Sequence, residues 1–272
     1  MKFNKKITPR RMDFELDENA IPRWWFADNP LMTHYANGLN LVFPEGERFF
    51  IRSVAHYLDQ LDDEELKSRA RAFFAQEASH GREHTHSFEM LERQGFKLSK
   101  YLRFYEKRAV PTLEKLFPPA FRLATTAALE HLTATLGERA LADDVLDLAH
   151  PAMRDLLRWH AAEEIEHKSV AYDVFQTVDG RYWVRIFGMT FGLATLMLFW
   201  TIGARMLLAQ EKLTRKEKRY FAKRIPKNRR NETRKLFRRA FIDYLRRDFH
   251  PDDRDDYHLA AEYLEGIGRL AA

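Results

Sequence analysis

The 272-residue chain contains no cysteine. That excludes disulfides, thiolate zinc sites and cysteine nucleophiles together, so any metal must be held by His, Asp or Glu. Hairpin signals are also scarce. Few Asn-Gly or Asp-Gly pairs separate β-branched runs, and apolar–polar alternation is weak. Neither a repeat of solenoid length nor a low-complexity tract is present. The segment MKFNKKITPRRMDFELDE is basic and has no apolar core, so no secretory signal is expected from it.

What is present favours helices. Apolar residues make up 45% of the chain and include 21 Phe, ample material for a core. Helical periodicity runs over about 31–60, 63–94, 99–117, 120–142, 151–177 and 183–209, with Pro44, Gly95, Pro118-Pro119, Pro151 and Asp179-Gly180 as start and stop signals. Basic helices follow, punctuated by Pro226 and Pro251. The expected fold is all-α. It comprises an irregular arm over 1–30, a four-helix bundle within 31–180, and an apolar helix with basic helices over 181–272, packed on or beside the bundle.

The net charge of +5 is uneven: residues 210–250 hold 16 Lys/Arg and 5 Asp/Glu, leaving 29 basic and 35 acidic residues elsewhere. A basic block beside an acidic body suits an anionic partner or a solvated helix pair. Nucleic acid is not the expected partner, because no recognition motif is present. Residues 186–204, IFGMTFGLATLMLFWTIGA, carry no charge. They meet the length of a membrane span, yet a single span places the basic block and the body on opposite sides. A helix lying in a membrane surface, a buried core helix and a helix in a homodimer interface avoid that conflict. The expected location is the cytoplasm, including its membrane face.

The chemistry is concentrated in one repeated pattern. Glu77-Ala78-Ser79-His80 and Glu164-Ile165-Glu166-His167 are both Glu-x-x-His. At 3.6 residues per turn, this spacing sets carboxylate and imidazole about 60° apart on one helix face. Glu47 lies one helical hairpin before Glu77, and Glu130 stands likewise before Glu164. Two helices giving one Glu each and two giving Glu-x-x-His is a bundle-core ligand set for two metal ions. Four carboxylates and two imidazoles suit two iron ions, with manganese or zinc as alternatives. Surface pairing is the competing explanation; apolar neighbours such as Phe73, Leu129 and Ile165 argue against it.

His160 lies one turn before Glu164 and shares its face, as ligand or as packing histidine. His84, four residues after His80, fits a ligand, a proton shuttle or, preferably, a hydrogen-bond partner of a ligand. Glu45 competes with Glu47, which lies further inside the helix that Pro44 starts. Glu163 and Glu166 are expected at the surface or behind the ligands. His131 is expected to be structural, and His56 and His86 ordinary helix residues.

The full pattern resembles the ferritin-like di-iron carboxylate proteins. FPEGERFF with FFAQEASHGREH also resembles the bacterial family known as predicted metal-dependent hydrolases, over roughly 35–200. The extended motif His160-x-x-x-Glu164-x-x-His167 is similar to the p-aminobenzoate N-oxygenase family, in which an extra histidine joins the second iron. Together these resemblances imply Glu47, Glu77, His80, Glu130, His160, Glu164 and His167 as ligands. The first expectation is therefore a di-iron oxygenase or oxidase using O2 and an electron donor on an apolar or aromatic small molecule. A di-metal hydrolase of an ester or phosphate is the alternative, and a non-enzymatic metal-binding, membrane-associated protein is the third.

Overall fold

A computed structural model describes residues 7–17, 19–225 and 227–269; Pro226 lies outside them. The chain is all-α, and no strand forms among the described residues. Local chemistry sets most helix ends. In α1 (Pro30–Asn40) the Asn29 side chain caps the amides of Leu31 and Met32, and proline occupies the first turn. Helix α2 (Phe43–Ala55) follows after two residues. The break divides the expected 31–60 stretch because Pro44 has no N–H to donate to the Asn40 carbonyl. Helix α3 (Glu64–Arg93) is capped by Asp63 and ends before Gly95, whose φ of 91° is glycine's own region.

The 99–117 stretch is less regular than its periodicity suggests. It comprises α4 (Ser99–Phe104), a π turn (Tyr105–Ala109) and α5 (Val110–Leu116). Pro111 cannot donate to the Lys107 carbonyl, and the wider turn absorbs the missing bond. Helix α6 (Pro119–Ala142) is followed by α7 (Pro151–His167) and α8 (Val170–Val178). The expected single helix 151–177 is thus split at Lys168-Ser169. There the buried Lys168 ammonium is drawn to Asp256 and the Arg254 carbonyl. Then come α9 (Tyr182–Gln210), α10 (Arg215–Arg224), α11 (Lys227–Tyr244) and α12 (Tyr257–Gly266).

Four of these helices frame the centre. α2 pairs with α3 and α6 pairs with α7 across short connections, and the two pairs meet through α2–α6 and α3–α7 contacts. α9 lies along α6 and α1. Glycines on facing helices make the approach possible: a Cβ on Gly188 of α9 would lie 2.8 Å from the Ala124 backbone, and one on Gly38 of α1 would lie 2.7 Å from Ala204 N. α9 is the one described helix long and apolar enough to cross a membrane, with 44% of its apolar window buried here. Its outer face exposes Trp183, Phe187 and Leu198. Arg185, just before the uncharged run, is buried and donates to the Tyr172 hydroxyl and the Arg246 carbonyl, so the charge is solvated from within. The N-terminal segment is tied down too: Arg23, Trp24 and His34 converge on Glu211 at the end of α9.

Candidate metal centre

Each of the four framing helices sends acidic or imidazole side chains inward. Glu47 comes from α2, Glu77, His80 and His84 from α3, Glu130 from α6, and His160, Glu164 and His167 from α7; all are buried. Glu45 points elsewhere, held by Arg48 at 2.7 Å and Arg52 at 2.9 Å. His131 is buried on the far side of α6, 3.1 Å from the Ala240 carbonyl and stacked on Tyr244; burial pushes its pKa down to about 3. His56 is exposed, and His86 stands half-exposed beside Glu83.

Four overlapping triads keep their donor atoms within 4.8 Å of one another: Glu77–Glu164–His167, Glu47–Glu77–His80, His80–His160–Glu164 and Glu47–His84–His160. Glu77 appears in one triad with His167 and in another with His80, and so does Glu164. Those two carboxylates therefore lie between two halves of the cluster. Glu130 joins at the first half, its Oε2 3.3 Å from His167 Nε2. His84 sits with Glu47 and His160 in the fourth triad.

Hydrogen bonds around the rim orient the imidazoles. Gln76 donates to the Thr8 carbonyl and to Glu166, which fixes its amide so that Oε1 accepts from His167 Nδ1–H at 2.9 Å. His167 Nε2 then faces the carboxylates. It lies 3.0 Å from Glu77 Oε1 but out of line for a hydrogen bond. His80 is set the same way: Nε2–H donates to Glu163 at 3.0 Å, Glu163 accepts from Arg10 at 3.0 Å, and His80 Nδ1 faces inward without a partner. Such carboxylate–histidine pairs fix tautomer and ring orientation at metal sites. His160 Nε2 is 2.7 Å from Glu164 Oε1, and its Nδ1 is 2.5 Å from His84 Nε2.

The electrostatics show what is missing from these contacts. Both oxygens of Glu47, Glu77 and Glu130, with His80 Nδ1 and His84 Nδ1, are buried without hydrogen-bond partners. A buried polar atom left so costs about 1–3 kcal/mol, more when charged. Burial, reinforced by neighbouring carboxylates, pushes Glu47 and Glu130 well above the usual carboxyl range. Burial also raises Glu77, against the pull of His167. Burial opposes charge on His167 as well, but Glu130, Glu164 and Glu77 outweigh it and raise its pKa well above normal. Burial would raise Glu164 too, yet His160 and His167 hold it well below. His80 and His84 are pushed well below by burial and by His160, which keeps them neutral and able to donate lone pairs. The cluster thus calls for positive charge and presents unprotonated nitrogen to it.

Aromatic rings seal the cluster: Phe43 against His84 and His160, Phe73 against His167, Trp159 against His80. Two chambers reach it. A narrow one of about 90 Å³ is walled by residues such as Phe50, Phe121 and Phe191. A wide one of about 1090 Å³ runs between α1, α6, α9 and α11. Phe43, Thr133 and Glu164 line both, so the chambers meet at the cluster.

Sequence spacing brings out the inward-facing residues but misses Arg10, Gln76 and Thr133. Thr133 donates a short hydrogen bond to Glu164 Oε2. Glu163 and Glu166 are expected at the surface or behind the ligands; Glu163 is fully buried on His80, and Glu166 holds Arg10 at 2.6 Å. The Arg10–Glu163–His80 chain yields a prediction. Glu163→Gln is expected to weaken metal binding by roughly 10–100-fold, the usual cost of losing such a partner. Calorimetric titration with Mn(II) measures it, and an unchanged affinity contradicts the assigned role.

A family model described as a predicted metal-dependent hydrolase matches residues 8–255. No match was found among curated proteins or among solved structures.

Proposed function

The chain belongs to the predicted metal-dependent hydrolase family, and on that premise we propose that it cleaves an ester at a centre holding two divalent cations. One observation carries the reading: six carboxylate oxygens of Glu47, Glu77 and Glu130 and three histidine nitrogens, of His80, His84 and His167, are buried and unpartnered, and these residues meet in the overlapping triads and the Glu130–His167 contact. The donor set fits. Glu47, Glu77, His80, Glu130, His160, Glu164 and His167 would hold the cations. Hard-to-borderline donors favour manganese or iron and accept zinc.

Bound cations supply polarisation of the ester and activation of a water. The chain supplies the rest. Thr133 donates to Glu164 and fixes its orientation, while Phe43 and Phe73 exclude bulk water. A Glu47 oxygen left free of the cation would take the proton from the attacking water. The hydroxyl goes to the acyl carbon, the C–O bond breaks, and the proton returns to the departing alcohol. Zinc- or manganese-loaded protein is expected to hydrolyse p-nitrophenyl esters under anaerobic conditions at a rate above that of the metal-free protein. Absence of turnover with any divalent metal contradicts the reading.

A second reading uses the same residues for O2 chemistry on two irons, with an external electron donor. The apolar walls of both chambers favour it, since they suit a substrate without a leaving group. Iron-dependent O2 consumption together with no anaerobic ester hydrolysis selects it over hydrolysis.

A further inference from the structure

The wide chamber is larger than a metal centre needs. At about 1090 Å³ it slightly exceeds the roughly 300–1,000 Å³ usual for small-molecule sites. Its inner end is formed by buried His160 and Glu164; its outer end includes exposed Arg234 and Arg238 of α11. Between them the wall is hydrocarbon, with Leu136, Leu193, Met197 and Phe237 as examples. Arg139, also in the wall, is already engaged by Asp143 at 3.0 Å and Glu232 at 2.9 Å. Arg234 and Arg238 have no acidic partner among the described residues.

A buried amide also stands in the wall. Asn40 is only 1% exposed, and neither its amide nitrogen nor its amide oxygen has a hydrogen-bond partner. A primary amide buried with its donors and acceptor idle is costly, and it lines this chamber. An occupant with a polar group partway along an apolar body relieves that cost.

We propose that the chamber seats an anionic amphiphile, a long unbranched hydrocarbon chain lying between α9 and α11 with its charged group at Arg234 and Arg238. The inference rests on the metal-centre reading in one respect: it makes this amphiphile the substrate class whose cleavable bond reaches the point where the chambers meet. Guanidinium groups without partners provide bidentate sites for a carboxylate or phosphate. The wall provides the hydrophobic contribution, about fourfold in affinity per methylene enclosed.

The test uses binding, so that it does not depend on turnover. Full-length, Mn(II)-loaded protein is titrated with saturated fatty acids of increasing length, below their micellar concentrations, alongside alkanols of the same lengths. Affinity is expected to rise roughly fourfold per methylene and then level off when the chamber is full. Fatty acids are expected to bind at least about tenfold more tightly than the matching alkanols. The double variant Arg234→Ala/Arg238→Ala removes that advantage and leaves alkanol binding unchanged. Ala140→Phe, which fills the wall, shifts the plateau to shorter chains; melting curves verify that each variant is folded. No saturable binding, no dependence on chain length, or an equal loss for acids and alkanols in the arginine variant overturns the proposal. Chain-length-dependent binding without ester hydrolysis keeps this inference and rejects the hydrolase reading. Hydrolysis of short esters without such binding does the reverse.

Discussion

Glu164→Ala is expected to lower bound metal from two ions per chain to fewer than one and to abolish hydrolysis. Glu164 is the carboxylate that most of the cluster shares. Its Oε1 meets His160 at 2.7 Å and lies 3.9 Å from His80 Nδ1, and its Oε2 lies 3.7 Å from His167 Nε2. It stands in triads on both sides of the cluster and lines both chambers. On the proposed reading, removing it would take a donor from both cations, and it leaves Thr133 Oγ1 without its carboxylate acceptor. The expected loss of metal affinity exceeds the roughly 10–100-fold attached to hydrogen-bond partners behind a ligand. Metal content after dialysis and calorimetric titration give the readout. Two ions retained at wild-type affinity contradict the bridging role.

The second large effect is a reversal of sign in stability. Glu130→Gln is expected to stabilise the metal-free protein at pH 8 and to destabilise the metal-loaded protein. In the metal-free chain Glu130 is buried beside Glu77 and Glu164, and burial first, then those carboxylates, push its pKa well above the usual range. A carboxyl whose folded pKa is raised favours folding below its unfolded pKa of about 4.3 and loses that contribution as pH rises through the folded value. Near pH 4 the variant and the parent carry the same neutral group and differ little. The gap opens as pH rises, to an expected few kcal/mol for a charge buried among carboxylates and only partly offset by His167, 3.3 Å away. With cations bound the order inverts. A ligand at 1,000 times its Kd stabilises by about 4.1 kcal/mol, and the variant forfeits much of that. Denaturant melts at pH 4.5 and pH 8, with chelator and with Mn(II), give the four values required. A variant less stable than the parent in chelator at pH 8 contradicts the electrostatic account.

Much of the centre is legible in the sequence because its grammar is local. Glu-x-x-His occupies a single helical turn, and Glu47 and Glu130 stand one hairpin away; Pro44, Gly95 and Pro151 mark where those helices begin or end. The structure brings the same residues together. What escapes is whatever depends on distant chain segments. Arg10 reaches Glu163 across 153 positions and Gln76 reaches His167 across 91, and no periodicity encodes either. Glu163 is legible in part: the sequence places it at the surface or behind the ligands, and burial of α7 all round from Trp159 to Ile165 selects the second. Lys168 escaped for a similar reason. Its partner Asp256 lies in a segment that sequence alone gives no reason to place beside α7. The uncharged run over 186–204 is ambiguous by nature, since a core helix and a membrane helix have the same composition. The close contacts at Gly38 and Gly188 are what tie α9 to α1 and α6.

The central claim is that α2, α3, α6 and α7 hold two cations between Glu77 and Glu164. A crystal structure of the Mn(II)-loaded protein, with anomalous scattering collected at the manganese edge, tests it directly. The account predicts two anomalous peaks, one beside Glu130 and His167 and the other beside Glu47 and His80, both in contact with the Glu77 and Glu164 carboxylates. No peak among these side chains, or manganese bound only on the protein surface, contradicts it.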